Sequence, residues 1–220
     1  MSSRASWPAP AGLILLAVVP TVAGVLLLAQ LAGLGEFFAD TARFVASPVP
    51  VVIHIVAVII YSILGAFQFV PALRRGRWHR YAGRVLVPAG LLTVSTALWM
   101  TFFYPRPPGY GTAVTVERLV FGPAVAVAIV LGYRAIRRGD VATHRAWMLR
   151  AYAIAMAAGT QAFTSLAWLA VAGTPGEFGT GATMGAGWVI NILVAESLIR
   201  RQRRRSRRSG PPAVPVPAAV

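Results

Sequence analysis

The chain has 220 residues, of which 57% are hydrophobic and 12% charged, and it carries a formal net charge of +15 at neutral pH. A soluble domain covers its surface with roughly 25% charged residues, so this composition argues against a water-soluble globular fold. The lack of cysteine excludes disulfides, thiolate metal sites and a cysteine nucleophile.

Apolar segments near or above the ~18-residue threshold for a membrane span recur along the chain. Six spans are expected, at 11–34, 49–73, 85–104, 119–136, 147–172 and 182–199. At ~1.5 Å rise per residue each crosses or nearly crosses a ~30 Å hydrocarbon layer. The fold class expected is an all-α integral membrane protein, a bundle of about six transmembrane helices. Residues 1–10 form a short N-terminal segment, 11–199 the membrane domain and 200–220 a tail. Arg4 precedes the first span as in a signal peptide. Its apolar run is longer than the usual ~7–15-residue core, and no clear small-x-small cleavage site closes it, so it reads as a retained helix.

Every basic residue is arginine, and the arginines are placed unevenly. Residues 74–84 hold Arg74, Arg75, Arg77, Arg80 and Arg84, and residues 134–150 hold Arg134, Arg137, Arg138, Arg145 and Arg150. The alternate loops hold only Arg43, Arg106 and Arg118, beside Glu36, Asp40, Glu117 and Glu177. Cytoplasmic loops of membrane proteins are enriched in Lys and Arg, so both termini are expected in the cytoplasm, in a bacterial inner membrane. The tail RRQRRRSRRSGPPAVPVPAAV is low in complexity and reads as disordered. Its arginines suit anionic lipid at roughly 1 kcal/mol per charge, and a nucleic-acid partner is not required to explain them.

The two inner loops resemble each other. RRGRWHRYAGR and RRGDVATHRAWMLR each place Arg-Arg-Gly after an apolar span, then His-Arg, then a trailing arginine before the next span. The second and third spans thus read as a hairpin repeated by the fourth and fifth, an arrangement that in membrane proteins often places sites between the repeats. The wider stretches GAFQFVPALRRGRWHRYAGRV and IRRGDVATHRAWMLRAYAI, with His54 early in the second span, resemble the bacterial membrane family DUF2306, a domain of unknown function. The resemblance covers roughly residues 45–200. It implies that His54, Gln68, His79, Gly83, Arg84, His144, Trp147, Met148 and Arg150 are signature positions. It implies a multi-pass membrane class and no particular activity.

Two of the three histidines, His79 and His144, lie in the repeated elements at one expected depth. One reading is haem b held between them, with His79 and His144 as iron ligands. Arg80, Arg84, Arg145 and Arg150 would then pair with the propionates, and the protein would be redox-linked, with a quinone or redox partner. Against it, both histidines sit at the boundary, and the outer level offers only His54 with Met100. A second reading uses the same residues as an anion or lipid-headgroup site at helix starts with free N–H groups, suited to a transporter-like module. A third is structural, with His-Arg anchoring helix starts at the interface.

His54, Tyr61, Gly65 and Gln68 fall on one helical face. They form either a polar track across the membrane or a helix–helix packing seam. Glu196 is expected to pair with Arg200, and Asn191 to bond a neighbouring helix. Gly181 and Gly185 form a small-xxx-small pair, and Thr160, Gln161 and Thr164 are expected to line an interior. No Walker loop, nucleophile elbow, HExxH or paired-carboxylate pattern is present.

Overall fold

A computed structural model describes residues 8–74 and 76–208. Arg4, Arg75 and the proline-rich end of the tail lie outside the described residues. The regular structure of the described residues is all helical: α1 (Pro8–Leu31), α2 (Ala42–Ala46), α3 (Pro48–Phe67), α4 (Pro71–Arg74), α5 (Arg77–Phe103), α6 (Thr112–Arg137), α7 (Val141–Ala155), α8 (Ala157–Ala172) and α9 (Glu177–Arg208). Five of these helices are long and apolar enough to cross a membrane, and α7 with α8 makes a sixth if the bent pair is one span.

The helices close into a ring. α3 packs between α1 and α5, α6 packs between α5 and α9, and α8 joins α9 back to α1. α7 fills the space between α6 and α9. Both expected hairpins are present, since α3 packs closely on α5 and α6 on α7. Their turns differ. α4 precedes the first, and Gly76 leads into α5 with extended backbone (φ −91°, ψ 171°). The second is closed by Gly139 at φ +77°, with the Asp140 N–H bonded to the Ala135 carbonyl and the Gly139 N–H to that of Ile136. Glycine takes that left-handed conformation without the Cβ penalty of other residues, and the paired bonds satisfy the last carbonyls of α6. The likeness of the two loops in sequence therefore does not extend to their backbones.

The fifth span corrects the expectation of a single helix. It breaks at Met156, and α7 and α8 are bent by 42°. The Met156 backbone (φ −78°, ψ 2°) leaves the helical well there. Three residues on, Gly159 rests against the Leu16 carbonyl of α1, in space that a Cβ would fill. The bend brings α8 onto α1 while α7 stays on α6 and α9. The tail corrects a second expectation: α9 runs without interruption to Arg208, so the arginine run from Arg200 begins as helix and not as disorder.

The core centres on Tyr61, Ala89, Val125, Ala128, Ile129, Ala151, Tyr152 and Met156. Small residues set its spacing. Gly65 lies under the Tyr152 ring, and Gly90 lies 2.6–2.7 Å (from an ideal Cβ) from Ile129 and Tyr61. Without a hydrophobic force between helices in lipid, such close backbone approach is what holds a bundle together. Gly181 faces Ala113 and Gly185 faces the Glu117 carboxylate, so the small-xxx-small pair of α9 seats α6.

Candidate functional site

The polar groups of the spans fall into three regions. The first is the seam between α3 and α5. His54 Nδ1 lies 3.1 Å from both the Thr93 carbonyl and Thr96 Oγ1 of α5. Tyr61 is buried, with its ring centroid 5.8 Å from that of Tyr152, and the Tyr152 hydroxyl donates to the Ser62 carbonyl at 2.8 Å. Gln68 caps the end of α3 and is half-buried. His54 and Tyr61 thus turn toward neighbouring helices, as polar groups in hydrocarbon must. The contacts they make are those of a packing seam.

The second region joins α8 to α9. Asn191 donates to the Ala153 carbonyl at 2.8 Å and accepts from the Thr160 hydroxyl at 2.7 Å. Gln161 donates to the Met184 carbonyl and Thr164 to that of Thr183. Thr160, Gln161 and Thr164 therefore serve as ties to α9 and do not line an open interior.

The third region lies toward the arginine-rich end, between α6, α7 and α9. Arg150 binds Glu196 with two bonds, Nε to Oε1 at 2.5 Å and a terminal N–H to Oε2 at 3.1 Å. Its guanidinium also lies 4.7 Å from the centroid of the Trp147 ring. Two expectations are corrected here. Glu196 takes Arg150 as its hydrogen-bonded partner and not the local Arg200, and Arg150 is not free to clamp an external anion. Two donors in a fixed plane match two carboxylate oxygens, which a single helical turn on α9 could not offer as well.

Around this pair the helices leave two adjoining clefts that share Trp147. One, of about 300 Å³, is walled mainly by apolar atoms, among them Ala124, Val127, Ala128, Ile154 and Ile192, with Arg150 and Glu196 at its edge. The other, of about 280 Å³, is lined by Leu131, Arg134, Arg138, Asp140 and Thr143. Residues 124, 127, 128, 131, 134, 135 and 138 recur at helical spacing. One face of α6 thus runs from an apolar cleft to a cationic mouth.

The histidines of the repeated element sit at the starts of α5 and α7. His144 points its Nδ1 at the Gly132 carbonyl of α6, 2.9 Å away. His79 is half-buried in the first turn of α5. α5 and α7 do not pack as a helix pair, and α6 contacts both. Arg80 and Arg145 are exposed, and Arg84 lies 5.5 Å from the Tyr81 ring centroid. At the start of α7 one of the N–H groups expected to be free is taken, because the Asp140 carboxylate accepts from the Thr143 N–H at 2.9 Å. That bond holds the Asp140 carboxyl below its usual range. Among the described residues, no group of three or more His, Cys, Asp or Glu side chains is arranged to hold a metal ion.

Sequence reasoning missed Arg134 and Arg138 as a site and read them only as topology signals. It also missed the Asp140 cap, for which Asp-x-x-Thr before an apolar run is a recognisable start signal. A family model described as "Predicted membrane protein (DUF2306)" matches residues 51–199. No curated protein and no solved structure matches the chain.

Proposed function

The chain belongs to the DUF2306 family of predicted membrane proteins, and from that premise we propose that it is a binding module for an anionic amphiphile of the membrane. The observation that carries this reading is the continuous face of α6, which joins an apolar cleft of about 300 Å³ to a mouth holding Arg134 and Arg138. Small-molecule sites are mostly apolar with a few placed polar groups, and volumes start at ~300 Å³. An acyl chain fits against Ala124, Val127 and Ile192, and an anionic headgroup fits between the two arginines. Two guanidinium groups against the single Asp140 carboxylate leave the mouth net positive. The Arg150–Glu196 pair lines the apolar cleft, is neutral as a unit, and leaves the binding charge to the mouth.

In this proposal the arginine-rich end faces the cytoplasm of a bacterial inner membrane, because the arginine count is so uneven between alternate loops. The headgroup then belongs to the cytoplasmic leaflet, where anionic lipids concentrate. Arg200 to Arg205 at the end of α9, exposed apart from Gln202, add attraction for the same leaflet. The test is native mass spectrometry of the protein released from bilayers containing phosphatidylglycerol. Wild type should retain one such lipid, and the double substitution Arg134→Gln, Arg138→Gln should lose it. Equal retention by both proteins overturns the proposal.

A second reading, haem b between His79 and His144 with a quinone or redox partner, is favoured by one observation. The Nδ1 bond of His144 to a backbone carbonyl is the support that metal-bound imidazoles commonly have. The visible spectrum of the purified protein decides it. A Soret band lost in His144→Ala supports it, and a featureless spectrum from haem-replete cells removes it.

A further inference from the structure

The end of the bundle away from the arginine-rich loops holds an arginine, Arg118, that no carboxylate pairs with among the described residues. Arg118 sits in the second turn of α6, partly buried, with its guanidinium 5.1 Å from the centroid of the Tyr110 ring. Among the described residues no carboxylate lies within ion-pairing reach of it, and no protein acceptor bonds it. Its own neighbour in sequence gives no help. Glu117 points the other way, against Gly185 of α9.

The contrast with the opposite end is direct. There Arg150, also within a span, receives a two-bond carboxylate from Glu196. An arginine inside a membrane domain without a partner costs several kcal/mol, so ion pairs and ligands are the usual answer.

Arg43 and His54 both lie within electrostatic range of Arg118. Arg43 is already committed to Asp40 at 2.7 Å. His54 uses Nδ1 on the Thr93 carbonyl and Thr96 hydroxyl of α5, which fixes its ring. The corner is held in shape by aromatic contacts. The Tyr104 hydroxyl donates to the Ser47 carbonyl, Phe44 meets Tyr104 edge-on, and Arg43 covers Phe44. An unpaired guanidinium held against an aromatic ring is suited to receiving an acceptor.

We propose that Arg118, seated on Tyr110, binds an oxyanion, a carboxylate or phosphate group, at this end of the bundle. The guanidinium supplies two parallel N–H donors for such a group. Tyr110 keeps its plane fixed through the ring contact. The oxyanion arrives either as a soluble anion or as the phosphate of a lipid headgroup. The site is separate from the α6–α9 groove and stands or falls without it.

Thermal unfolding of the full chain distinguishes these sources. In delipidated detergent solution, inorganic phosphate is titrated against sodium chloride of equal ionic strength. In parallel, the protein is placed in nanodiscs of a neutral glycolipid alone or with added phosphatidylglycerol. A rise of the midpoint with phosphate in wild type supports a soluble anion. A rise only with phosphatidylglycerol supports a headgroup. In either case Arg118→Gln should weaken the apparent affinity at least tenfold, Arg118→Lys should weaken it less, and Tyr110→Leu should weaken it several-fold. Absence of protection by both phosphate and phosphatidylglycerol in wild type overturns the proposal without recourse to any variant. Undiminished protection in Arg118→Gln overturns it as well.

Discussion

Removing the Glu196 carboxylate should destabilise the protein by more than any surface ion pair allows. In Glu196→Ala, Arg150 loses both of its bonds, at 2.5 and 3.1 Å, within a pair whose side chains are only 25% and 29% exposed in the native protein. Exposed pairs are worth ~0–1 kcal/mol, whereas breaking a buried pair from one side costs ~3–5 kcal/mol. A pair one-quarter exposed at the membrane boundary lies between these, at about 2–3 kcal/mol. Arg150 also retains its contact with the Trp147 ring, which keeps it from swinging fully to water. The double substitution Arg150→Met, Glu196→Leu removes both charges and fills similar volume. It should recover most of the loss, because no unpaired charge remains. The assay is a double-mutant cycle by thermal or SDS unfolding in one detergent, followed by tryptophan fluorescence. A coupling of about 2 kcal/mol is expected. Additive effects, or a Glu196→Ala loss under about 0.5 kcal/mol, would show that the two side chains do not act as a pair.

Other substitutions test the packing and the ends of the helices. Gly90→Ala places a methyl 2.6 Å from Ile129 and 2.7 Å from Tyr61, and should cost about 1–3 kcal/mol of stability as overpacking. Tyr152→Phe removes the bond to the Ser62 carbonyl and should lower stability by about 1 kcal/mol, read from the same unfolding curves. The Asp140 carboxyl is held below the usual aspartate range by the Thr143 N–H bond. Its stabilising effect is therefore complete above about pH 4 and lost as pH falls through the lowered native value. Asp140→Asn should remove that part of the acid sensitivity, and an unchanged acid profile would refute the cap as its cause. Gly76→Cys, in a chain with no other cysteine, should resist an impermeant thiol reagent applied outside intact cells, and labelling from outside would reverse the proposed orientation.

What was legible in the sequence follows the physics of the bilayer. Long apolar runs are read directly from composition, so each expected span falls on a helix or, for the fifth, on the bent pair. Boundaries were less legible. α5 starts at Arg77 and not at Val85, and α6 at Thr112 and not at Leu119, because helices continue past the hydrocarbon where side chains no longer need to be apolar. The break at Met156 has no proline to announce it. Its geometry goes with a packing contact between Gly159 and α1, which is a tertiary fact. The face of His54 and Tyr61 was readable because helical periodicity decides it. The partner of Glu196 was not. Spacing along α9 makes Arg200 the local candidate, while Arg150 comes from another helix 46 residues away. Arg134 and Arg138 look the same in sequence as any inner-loop arginine, and only the shape of α6 against α7 sets them at the mouth of a cleft.

The central claim, that an anionic amphiphile lies along α6 between the apolar cleft and Arg134, is tested most directly by photo-crosslinking. A phosphatidylglycerol carrying a diazirine on its acyl chain is incorporated with the full-length protein and irradiated, and the modified residues are mapped by mass spectrometry. The account predicts adducts concentrated at Val127, Ile154 and Ile192, which line the cleft, and their loss in the Arg134→Gln, Arg138→Gln protein. Adducts spread evenly over exposed apolar positions such as Leu92, Val120 and Leu166, unchanged by those substitutions, would contradict it.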